Sequence, residues 1–172
     1  ESSDARLWIV SGFFGLLFFL LFGVKELAFL HSGAIYYFLN NLLFLGSLIL
    51  FFAADRFQFF SSQFLLLGAV FFFLFREFLF LGPGGWGSEP APVLGSKHNL
   101  AALTLAFLSL QSVWAASLLP IGVVNLALFL SLYVLVLKEV AVSYLEGKLT
   151  PETVLKNSTI FIFGGFLVFA LA

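Results

Sequence analysis

Residues 34–54, AIYYFLNNLLFLGSLILFFAA, contain no charged side chain. A helix of that length, at 1.5 Å per residue, measures about 30 Å, which is the thickness of a bilayer's hydrocarbon. Runs of similar length recur along the chain, most of them rich in Leu and Phe and too long for the strands of a soluble core. Across 172 residues, 62% are hydrophobic and only 10% charged, against roughly 25% charged in soluble domains. The fold class expected is therefore an all-α polytopic membrane protein forming a single transmembrane helical bundle.

Apolar length and helix breakers together define six spans, at about 4–30, 34–54, 59–81, 99–119, 123–145 and 151–172. Ser3 or Asp4 can cap the first. His31, Ser32 and Gly33 form the turn after it, and Asp55 and Arg56 mark the polar exit of the second. The long connection 82–98 is rich in Gly and Pro, which oppose both helix and central strand, and Trp86 in it suits a headgroup-level anchor. Pro120 and Gly122 imply a tight turn between the fourth and fifth spans. In EGKLTPE, Gly147 reads as a helix stop, Thr150 as an N-cap, Pro151 as the first helical residue, and Glu152 sits at the positive end of the next helix dipole. The expected arrangement is three helical hairpins.

Lys and Arg divide unevenly between the two sides of such a bundle. Arg6 and Arg56 fall on the side of the N-terminus, while Lys25, Arg76, Lys97, Lys138, Lys148 and Lys156 fall on the other. The positive-inside rule then puts both termini outside and the turns at 31–33, 82–98 and 146–149 in the cytoplasm, as expected for a bacterial inner (plasma) membrane. With no methionine even at position 1, Glu1 is expected not to be the natural start.

Three base-acid pairs interrupt the apolar runs: Lys25-Glu26, Arg76-Glu77 and Lys138-Glu139, each on the first helix of a hairpin and five to eight residues before the expected cytoplasmic turn. One reading is interfacial. At that depth long side chains snorkel to the headgroups, and the pairs anchor the hairpins at a common level. The other is functional. Neighbouring residues on a helix diverge by about 100°, so one member of each pair can turn inward and contribute to a charged ring beneath the cytoplasmic opening.

Asn40, Asn41 and Gln111 are the conspicuous uncharged polar residues inside the spans. Amides in hydrocarbon require partners, either as glue between helices or, for the two asparagines, in a polar pocket with Lys25 or Glu26. Ala102, Ala106, Ser109, Ser112, Ala115 and Ala116 give the fourth span a low-volume surface suited to close packing. His31 and His98 lack the spacing of metal ligands, and there is no Gly-x-Ser-x-Gly elbow, P-loop or dinucleotide fingerprint. With no cysteine, thiol catalysis is excluded.

Three classes of function remain. The first is a non-enzymatic structural or accessory subunit acting through helix-mediated assembly. The second is a small solute or ion transporter or channel using the base-acid pairs and the amides. The third is a membrane-embedded enzyme, which Glu26, Glu77 or Glu139 would serve as acid or base without an accompanying nucleophile or metal set. Expected partners are membrane lipid and other membrane chains or further copies of this one. No cofactor and no nucleic acid are expected, because the basic residues are few and scattered.

Overall fold

The computed structural model describes residue 15 and residues 33–54, 62–81 and 94–170. It contains five helices: α1 (Gly33–Ala54), α2 (Ser62–Leu81), α3 (Leu94–Ser117), α4 (Val123–Leu145) and α5 (Pro151–Ala170), with no strand among the described residues. Each carries an apolar stretch of at least 18 residues, long enough to cross a membrane. The expected first span, 4–30, lies outside the described residues apart from Gly15, which is helical.

Two boundaries differ from the expected ones on either side of the same helix. α3 begins at Leu94 rather than at about 99, so the last residues of the expected 82–98 loop are helical. No proline lies between Pro92 and the end of α3, and the N–H groups of a helix's first turn have no intrahelical partner to lose. At its far end α3 stops at Ser117 instead of running to 119. Leu118 and Leu119 close onto the Ala115 and Ala116 carbonyls, and Pro120 disfavours helical geometry at the residue before it. α2 is described from Ser62, and its expected start at about 59 lies outside the described residues.

Helices α1, α2, α3 and α4 pack as a closed ring: α1 against α2 and α4, and α3 against the same two. Contacts at matched levels show how they run. Phe44 on α1 meets Phe71 and Phe75 on α2, with ring centroids 5.2 and 4.8 Å apart, while Tyr37 meets Phe78 at 5.6 Å. Sequence number rises on one helix as it falls on the other, so α1 and α2 are antiparallel. α4 and α5 are antiparallel too, since Phe129 meets Phe169 and Tyr133 meets Phe161.

The core follows helical periodicity. On α2 the buried residues Leu67, Phe71, Leu74, Phe75 and Phe78 recur every three or four positions, one stripe of the helix. On α3 the inward stripe is small: Ala102, Ala106, Ser109 and Ala116 are buried, as the low-volume pattern implied, whereas Ala115 faces outward. This lets α2 approach closely. A methyl group added at Gly68 would lie 2.8 Å from Leu110 Cδ1. Among the described residues α5 packs mainly on α4 and buries Asn157 and Gly165.

A buried lysine held by asparagines and aromatic rings

On α4 the inward residues Leu126, Leu130, Val134 and Lys138 follow one another at steps of four. Lys138 thus occupies the next position of a hydrophobic stripe and is carried into the bundle by the same geometry that buries its three predecessors. It is 0% exposed. Its Nζ donates to Asn40 Oδ1 at 2.5 Å and to Asn41 Oδ1 at 2.6 Å. Asn40, also 0% exposed, donates in turn through Nδ2 to the Leu74 carbonyl at 3.3 Å. One lysine and two asparagines so tie α4, α1 and α2 together.

Aromatic faces complete the enclosure. Nζ lies 4.2 Å from the centre of the Phe44 ring, 4.8 Å from that of Phe78 and 5.9 Å from that of Tyr37, within the range over which a ring face attracts a cation. Two acceptor oxygens and three rings suit a protonated amine. Among the described residues no carboxylate lies within salt-bridge distance of it. The adjacent Glu139 is exposed and accepts a 3.1 Å hydrogen bond from the Tyr37 hydroxyl.

The second pair divides the opposite way. Arg76 is exposed and its Nε donates to Asn99 Oδ1 on α3 at 3.1 Å, whereas Glu77 is part-buried. Divergence by about 100° between neighbours therefore turns the base inward on α4 and the acid partly inward on α2. Lys138 is enclosed by the bundle and not exposed at its surface. The two pairs lie near one another along the bundle. Asn40 joins Lys138 to Leu74, and Leu74 precedes Arg76 by two residues, about 3 Å of helical rise. Lys25 and Glu26 lie outside the described residues.

Of the nine positions singled out from the sequence, three converge: Lys138, Asn40 and Asn41. The asparagines were expected either to join helices or to form a polar pocket with Lys25 or Glu26; among the described residues they join helices, bonding to Lys138 on α4 and, through Asn40, to the Leu74 carbonyl on α2. Tyr37, Phe44 and Phe78 were not anticipated as parts of the site. A signal for Phe44 was present, because it follows Asn40 by four residues and shares its face. One turn earlier on that face, the Tyr36 hydroxyl is buried and has no hydrogen-bond partner among the described residues. Gln111 is elsewhere, exposed on the outer side of α3.

The described residues contain no group of three or more His, Cys, Asp or Glu that could hold a metal ion. Comparisons with known protein families, with curated proteins and with solved structures find no match to this chain, so the chemistry of the site rests on its own geometry.

Proposed function

We propose that the chain is an integral protein of a bacterial inner membrane, with six membrane helices in three hairpins and both termini outside, and that it is a non-enzymatic accessory subunit acting through helix-mediated assembly. The distribution of polar groups supports this reading. Inside the bundle, the Lys138 amine is satisfied by two amides and is closed off from solvent. Outside it, the amide of Gln111 faces outward from a membrane helix where hydrocarbon offers no hydrogen bond. That outward amide is the observation on which the reading rests, since polar side chains at such places join one membrane helix to another and Gln111 has no partner among the described residues.

The test is the mass of the particle extracted from native membranes in mild detergent. Assembly predicts more than one chain in the particle. A stable, functional monomer without a protein partner contradicts it.

A transporter or channel is the second reading, favoured by Tyr36. Its buried hydroxyl, without a partner among the described residues, sits one turn from the Lys138 layer, and an unsatisfied buried polar group is a place for water or an ion. Reconstituted liposomes distinguish the two. Solute or ion flux that disappears in a folded Lys138→Met variant supports transport, and equal permeability with and without the protein opposes it.

A further inference from the structure

α3 has two opposite stripes. The inner one, of small residues, packs in the ring. The outer one consists of Leu100, Thr104, Phe107, Gln111 and Trp114, continued by Leu118 in the turn just past the helix, all exposed, at alternating steps of four and three residues. That spacing is the seam of a helix pair, in which side chains of one helix enter the gaps of another. Scattered outward Leu and Phe on a membrane helix would need only lipid. A seam with an amide on it needs more.

The hydroxyl of Thr104 is satisfied within its own helix, donating to the Leu100 carbonyl at 2.9 Å, and Ser112 does the same to Leu108 at 3.0 Å. Gln111 makes no such bond to the described residues. It lies six residues, about 9 Å, inside the Ser117 end of α3, within the apolar stretch Lys97–Ser117. Lipid tails can neither accept from its two N–H groups nor donate to its carbonyl oxygen.

We propose that this face pairs α3 with α3 of a second copy of the same chain, with Gln111 against Gln111. The inference rests on the assembly reading and names its partner. Copies inserted with the same orientation can be related by a two-fold axis along the membrane normal, and the paired surface is then the same on both. A residue on such an axis meets itself at its own depth. An amide is self-complementary, since each supplies the donor and acceptor that the other lacks. The six seam residues carry no charge, and the nearest charge on the stripe, Lys97, lies at the start of the span, where water and headgroups screen it.

The chain has no cysteine, so single-cysteine variants report contacts without background. Oxidation in native membranes is expected to link Phe107→Cys and Trp114→Cys into dimers of this chain and to leave Phe163→Cys, on the exposed face of α5, monomeric. Adding Gln111→Leu to Phe107→Cys should weaken dimerisation roughly 3- to 30-fold, the equivalent of an interhelical polar contact in a membrane, whereas Gln111→Asn should retain most of it. Equal cross-linking at 107 and 163, or no effect of Gln111→Leu, overturns the dimer. If 107 links instead to a different protein, the dimer is overturned while the assembly reading survives. A chain that links to nothing and is monomeric in mild detergent removes both.

Discussion

Lys138 owes its place to four-residue spacing and its tolerance to the amides opposite. A buried cation lacking an acceptor is costlier than a buried amide lacking a donor, because more hydration is lost without replacement. Asn40→Leu is therefore expected to destabilise the protein by about 1.5–3 kcal/mol, the range for hydrogen bonds to charged groups. Lys138→Met should cost less, since it leaves only neutral amides short of a partner. Thermal unfolding of both variants in one detergent checks the order. At the surface, Lys148 and Glu146 form a 2.8 Å pair; the hydrogen bond and then the charge of Glu146 raise the lysine's pKa above its ordinary 10.5. A raised pKa means that the contribution is complete below about pH 10.5 and is lost only as pH climbs through the raised value. Lys148 is exposed and solvent screens the pair, so Lys148→Gln should leave the unfolding temperature unchanged from pH 6 to 8.

At the scale of elements, the junction of α4 and α5 shows what local chemistry can reveal. Gly147 has φ +68°; its N–H reaches the Tyr144 carbonyl and that of Lys148 reaches Ser143, closing the last turn of α4 in the manner of a Schellman motif. The Thr150 hydroxyl oxygen then accepts from Thr153 N–H at 3.2 Å and caps α5. Every group involved lies within a few residues, which is why EGKLTPE was legible. A Cβ at a positive φ clashes with the neighbouring carbonyl, so Gly147→Ala should cost about 1–2 kcal/mol, measurable by thermal unfolding. The partner of Asn40 and Asn41 was not legible, because it lies 98 and 97 positions away and periodicity says which face is inward without saying which helix it meets. The same limit hid the approach of α5 to α4, where a methyl group at Gly164 would meet Leu132 Cδ2. Gly164→Leu should force these helices apart, at about 1–3 kcal/mol.

For the whole molecule, the four-helix ring encloses a polar layer in which Lys138, Asn40 and Asn41 satisfy one another, while the buried hydroxyls of Tyr36 and Ser109 find no partner among the described residues. The outer surface of the bundle is where function is proposed to reside. The membrane helices could be recognised from apolar length alone, since hydrocarbon thickness sets a strict requirement. Orientation rests on the two-against-six division of basic residues. A cysteine at Lys148 should accordingly be protected from an impermeant reagent outside the cell and one at Leu119 labelled, the reverse pattern showing an inverted protein. Assembly and transport assign opposite weights to two side chains, and native mass spectrometry of Gln111→Leu and Lys138→Met in mild detergent separates them most directly. The expected result is a shift toward single chains in Gln111→Leu and an unchanged assembled fraction in folded Lys138→Met. An unchanged fraction in Gln111→Leu with dissociation in Lys138→Met would contradict the proposal that the protein assembles through its outward amide.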